Sequence, residues 1–169
     1  MKLIYGKLKL VSNATNIGGY TLEKESLGKY IAGIYRNSQC IINKKLEDYD
    51  IGSGQHDFLY IICNNQGISQ KELSQKLHIG KATTAKVVKQ LEKSGYVRRE
   101  KDDEDKRFYK LYLTEKGNAI APLVNATYRE MRELYAEGFS EEEYIYVLNA
   151  LQKILGNLYN AKDCSECNE

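Results

Sequence analysis

Between residues 81 and 94, "KATTAKVVKQLEKS" arranges three kinds of side chain on one helical period. At about 100° per residue, Thr84, Val87, Val88 and Leu91 form the apolar face. Ala82, Lys86, Lys89 and Lys93 then point the other way, with Lys81 and Thr83 flanking the N-terminal end. Lysine can donate to guanine acceptors, threonine offers a hydroxyl or a methyl to a base edge, and a small residue at 82 permits close approach. The face therefore suits the major groove of duplex DNA. In a helix-turn-helix the N-terminal part of the second helix reaches the bases, which is where these residues sit. Lys106 and Arg107 follow the acidic loop "DDED", where a long basic side chain can hold phosphates or enter a minor groove. Four acids, Asp102 to Asp105, would repel a phosphate backbone unless turned away or paired, and Asp105 is the expected orienter of Arg107.

Two short helices and a hairpin must position these residues. Ile68 leads into "SQKE", a capping box in which the Ser69 hydroxyl accepts from the Glu72 amide while that glutamate reaches back. A short helix through Leu73 and Leu77 starts there, "HIG" allows only a tight turn, and the second helix runs to Gly95, a C-terminal stop. "YVRREK" and "RFYKLYL" then alternate apolar or aromatic with charged residues, as the strands of a β-hairpin do.

Helices flank this unit on both sides. From about Glu23 to Tyr49 a long amphipathic helix is predicted by Leu27, Tyr30, Ile31, Ile34, Tyr35, Ile41, Ile42 and Leu46. "DIGSG" breaks it, and a shorter helix through Phe58, Leu59 and Ile62 ends near "NNQG". After the hairpin, Thr114 in "TEKG" caps a helix carrying Ile120, Val124, Tyr128, Met131 and Tyr135, with Pro122 expected to kink it or mark a later start. Ser140 opens the last helix, whose first turn holds three acids and whose apolar positions run to Tyr159. The expected division is an extension at 1–22, supporting and dimerising helices at 23–66, a DNA-binding unit at 67–113, dimerising helices at 114–160 and a tail at 161–169.

The whole chain bounds the same reading. With 169 residues, 42% hydrophobic, 28% charged, one proline and no tryptophan, it is one soluble helix-rich domain. Its net charge of +2 is unevenly spread: residues 67–113 hold 12 Lys and Arg against 7 Asp and Glu, and the remainder holds 13 against 16. A local basic excess is the footprint of a polyanion-binding face. The N-terminal "MKLIYGKLKLV" lacks a secretory core and cleavage site, and no run approaches the roughly 18 apolar residues of a membrane span. A cytoplasmic protein with no membrane partner is expected. Two histidines, no glycine-rich phosphate loop and no nucleophile beside a base leave nothing for catalysis, and no cofactor is implied.

Cys40 and Cys63 fall in helical patterns as expected small buried hydrophobes. Cys164 and Cys167 form "CSEC" in the tail, half of a zinc site that His56 and His78 are not spaced to complete, or a redox pair. Among 14 tyrosines, Tyr30 and Tyr35 are the nearest candidates to line an aromatic ligand cleft.

The order of helices, helix-turn-helix, charged hairpin and closing helices, with "LEKSGYVRR", "DKR" at 105–107 and "LTEKG" at 113–117, resembles the MarR family of winged-helix transcriptional regulators over roughly residues 24–160. The resemblance implies a mainly α fold with a small β-hairpin wing and a helical dimerisation region from both termini. It also implies a homodimer that binds double-stranded DNA at a pseudo-palindromic operator and usually represses. Many members release DNA when a small aromatic or lipophilic effector binds, and others sense oxidants through a cysteine near the start of the first helix, where this chain has none. Where many members have serine at the start of the recognition helix this chain has Gly80, and Lys86 replaces a more usual arginine. A winged helix used only for protein contacts, or a thiol-based redox sensor, is the alternative.

Overall fold

In the computed structural model, residues 26–102, 106 and 108–162 are described, together with the backbone of 16–17 and 20–21. Strands β1 (Asn16–Ile17) and β2 (Tyr20–Thr21) pair antiparallel ahead of helix α1 (Leu27–Lys45). A single 3-10 turn, Glu47–Tyr49, closes α1 and leads to α2 (Gln55–Asn64), so the first long helix is shorter than its apolar period suggests. Strand β3 (Ile68–Ser69), α3 (Gln70–Leu77), α4 (Lys81–Lys93), β4 (Val97–Lys101) and β5 (Tyr109–Leu113) form the central unit. Two helices, α5 (Glu115–Ala136) and α6 (Glu141–Lys162), complete the described chain. None of the described helices is long and apolar enough to cross a membrane.

The capping box at Ser69 is formed: the Glu72 amide donates to Ser69 Oγ at 3.2 Å, and the Ser69 amide donates to the Glu72 carboxylate at 2.9 Å. Ser140 repeats it, with the Glu143 amide donating to Ser140 Oγ at 3.3 Å. The hairpin gains a third strand that sequence alternation did not reveal. β3 pairs antiparallel with β5, Ile68 against Leu111, giving the order β3-β5-β4. Two residues are too short to show a period. Pro122 neither breaks α5 nor delays its start; the helix runs through it from Glu115.

The core gathers where these elements meet. Leu59, Ile62, Leu73, Val88, Leu91, Leu111 and Val124 are fully buried, one or two from each of α2, α3, α4, β5 and α5. α1 contributes only Ser38 and Ile42 from its own length, and α6 has no buried residue among those described. Ile34 and Tyr35 on α1, and Ile145, Tyr146 and Leu158 on α6, are each at least half exposed. An apolar stripe of that length without a cover is an unfinished core.

One junction ties the central unit to α5. Gly95, at φ 76°, ends α4 in the left-handed conformation, and the following Tyr96 is buried with its hydroxyl donating to the Tyr49 carbonyl. Thr114 caps α5 by accepting from the Gly117 amide at 3.1 Å while its own hydroxyl donates to the Gly95 carbonyl at 2.6 Å. Its amide donates to the Tyr96 carbonyl at 3.1 Å. The chains lie so close that a Cβ on Gly117 would stand 2.2 Å from the Tyr96 carbonyl oxygen. Gly117→Ala should therefore cost ~3 kcal/mol by overpacking, seen as a lower urea midpoint. Gly156→Ala in α6, with nothing within 4 Å of its Cβ, should be neutral or stabilising by up to ~1 kcal/mol. Equal midpoints for the two variants would contradict this packing.

Candidate nucleic-acid interface

The turn between α3 and α4 fixes the direction of α4. His78 takes the left-handed conformation at φ 55°, and the Ile79 amide donates to the Ser74 carbonyl at 3.0 Å. Gly80 stands at the N-cap of α4 with no side-chain cap, and the first turn carries no acid. Thr84 instead turns inward, donating its hydroxyl to the Gly80 carbonyl at 3.1 Å. With Thr84, Val88 and Leu91 buried and Val87 half-buried, Lys81, Ala82, Thr83, Lys86 and Lys89 are all exposed along the opposite face, as their spacing predicts. The helix N-terminus adds a partial positive charge to that surface.

The wing stands beside this face. Arg99, missed in the sequence, donates from Nε to Glu92 of α4 at 2.9 Å and locks β4 to the recognition helix. Its place could have been read from alternation, since Val97 and Arg99 share the inward side of β4. Arg98 pairs with Glu100 and lies over the Tyr112 ring at 5.2 Å, and Lys110 meets Asp102 at 3.1 Å. Lys101 and Lys106 are exposed at the distal end. Asp105 and Arg107 lie outside the described residues, as do Cys164 and Cys167.

Behind the interface, a polar network joins α2 to α5. Tyr128 donates to Asp57 Oδ1 at 2.5 Å. Its single proton is thus used, so His56 Nδ1, 2.9 Å from the tyrosine oxygen, is the donor of that contact. His56 is fully buried, and Tyr60 stacks on Tyr128 at 4.0 Å. Burial acts to raise the Asp57 carboxyl, but the hydrogen bonds from His56 and Tyr128 and the attraction of the imidazole outweigh it and hold it below its ordinary value of 3.8. Burial, followed by the Asp57 charge, pushes the Tyr128 phenol far up, so it remains a neutral donor.

Asp57 and Tyr128 also border a cavity of about 360 Å³ between α1, α5 and α6, lined by Ile34, Tyr35, Ser38 and Leu151 among others. Tyr35 lines this cavity, whereas Tyr30, the other sequence candidate, is not among its lining residues. Cys40 corrects a second expectation. It is exposed, because α1 turns Ser38 and Ile42 inward and residue 40 falls on the far side of the helix. Cys63 is half-buried, and burial pushes its thiol up to about 11, which keeps it protonated and unreactive.

Comparison with known proteins agrees with this architecture. Residues 51–108 match the MarR family model. The chain is 30% identical to the HTH-type transcriptional regulator YybA of Bacillus subtilis over 128 residues, 76% of this chain and 85% of that protein. A MarR transcriptional regulator from Methanosarcina mazei is 37% identical with a TM-score of 0.66, covering 80% of this chain and 97% of its own. A MarR family regulator from Listeria monocytogenes, solved in complex with 26mer DNA, is 28% identical with a TM-score of 0.75, covering 86% and 99%.

The depressed Asp57 carboxyl has a pH consequence. A group whose folded pKa lies below its unfolded one stabilises above the unfolded value and loses that contribution as pH falls through the folded value. Between about pH 5 and pH 2, the wild type should lose more stability than Asp57→Asn in urea titrations; parallel losses would contradict the network. Sequence pattern, fold and likeness converge: the chain belongs to the MarR family of winged-helix transcriptional regulators.

Proposed function

We propose that the chain acts as a homodimeric, sequence-specific DNA-binding repressor whose hold on a pseudo-palindromic operator is relaxed by a small aromatic or lipophilic effector. The observation that carries the DNA contact is the α4 face, where Lys81, Ala82, Thr83, Lys86 and Lys89 are exposed opposite the buried Thr84, Val88 and Leu91. Lys81, Thr83 and Lys86 read base edges in the major groove, and Lys89 meets phosphates. Lys106 and Arg107 serve the adjacent minor groove, with Asp105 orienting the arginine.

Dimerisation supplies the second half-site. The uncovered stripes of α1 and α6, from the regions 23–66 and 114–160, bury one another in the two-chain assembly. A two-fold axis then sets the two α4 helices roughly 34–36 Å apart, one turn of DNA. The cavity bordered by Tyr35, Asp57 and Tyr128 receives the effector, at the point where α1, α2 and α5 are joined by hydrogen bonds. An occupant that pushes α5 acts on α4 through the Thr114 and Gly117 junction.

Lys86→Ala should weaken binding to the preferred duplex about tenfold and relax base choice at one position. Arg107→Ala should weaken binding to all duplexes alike and reduce the salt slope by about one. Fluorescence anisotropy at several salt concentrations measures both, and equal affinity of wild type and both variants for every duplex would overturn the assignment. Leu155→Glu, placing a charge on the exposed stripe of α6, should shift the chain to a monomer in analytical ultracentrifugation and weaken operator binding with it. A variant that stays dimeric and binds as before would contradict the interface.

A further inference from the structure

We propose that Phe108 is a further DNA-reading residue, an apolar wedge that enters the minor groove beside the basic side chains of the wing and sets a base-step preference there. Phe108 is 58% exposed one residue before β5. Its position at the mouth of the wing loop is fixed by the backbone, since the Asp102 amide donates to its carbonyl at 3.0 Å. The exposed Lys101 and Lys106 lie within the same loop and its flank. The ring borders a cleft of about 660 Å³ whose other walls include Lys71, Gln75, Arg99 and Asp102.

The chemistry of the neighbours narrows the role. Arg98, Arg99 and Lys110 are each engaged with an acid, Glu100, Glu92 and Asp102 respectively, so much of the basic charge of the wing is already spent inside the protein. Phenylalanine has no donor or acceptor and cannot hold a phosphate. What an exposed ring at a groove can do is insert against a base step, partly unstacking it and bending the duplex. Pyrimidine–purine steps yield most easily, so the preference appears as TA or CA steps where the wing lands, at positions no polar side chain contacts.

This inference rests on the DNA-binding reading above, and the experiment separates the two. Full-length wild type and Phe108→Ala are each used to select from a randomised duplex library, and the selected duplexes are then measured for affinity and for bending by end-to-end energy transfer. The expected result is a wild-type motif with flexible steps flanking the half-sites. Phe108→Ala should keep the half-sites, lose the flanking preference, bend the duplex less and bind about tenfold more weakly, with its thermal midpoint unchanged. A variant that selects the same flanks with the same affinity and bend overturns the wedge while leaving the DNA-binding reading intact. A variant whose thermal midpoint falls while its DNA preference holds also overturns it, making Phe108 a cover for the cleft. Failure of the wild type to select any sequence overturns both.

Discussion

The contact on which the rest depends is the near-touch of two backbones at the Tyr96 carbonyl and Gly117. There the end of the recognition helix, the first wing strand and the start of α5 come together within hydrogen-bond reach, with Thr114 bonded to both Gly95 and Gly117. Lys116 closes the same junction from outside, its ammonium lying 4.2 Å from the Tyr96 ring and donating to the Ser94 carbonyl at 2.8 Å. Because packed backbones have no soft coordinate, α4 cannot turn without α5 turning too. The motifs "SGY" and "LTEKG" are the sequence trace of that weld, separated by the whole length of the wing.

α5 carries the constraint away from the DNA side. Its Tyr128 is held to Asp57 and His56 of α2, its Tyr135 donates to Ser38 of α1 at 2.7 Å, and Glu130 pairs with Lys45. At the far end α6 returns to the helix-turn-helix, setting the Tyr159 ring 5.3 Å from that of His78 in the turn before α4. The recognition helix is thereby addressed from one end by α5, which is packed into the core, and from the other by α6, whose apolar stripe is uncovered in the single chain. In the homodimer proposed above, that arrangement would set the spacing and tilt of α4.

The sequence made much of this legible, and the limits have physical causes. The face of α4 was readable because a thirteen-residue helix packed on one side gives a clean period, and the Ser69 cap because its chemistry is local. β3 escaped because two residues cannot alternate, and its existence depends on the pairing of Ile68 with Leu111, 43 residues later. Cys40 was misplaced because α1 carries more apolar side chains than a single chain can bury; the period announces a buried stripe, and only Ser38 and Ile42 turn inward. Arg99 was overlooked because its meaning lies in Glu92 across an inter-element contact, and the Asp57 network because nothing in "QHDF" points to Tyr128 seventy residues away.

The most direct measurement is the stoichiometry and salt dependence of binding to a duplex selected by the chain, against scrambled DNA of equal length. The account predicts two chains per selected duplex, affinity at least a thousandfold above the scrambled control at moderate salt by the usual specificity ratio, roughly 10³ or more, and a steep loss of binding as salt rises. One chain per duplex, or equal affinity for both duplexes, would contradict it.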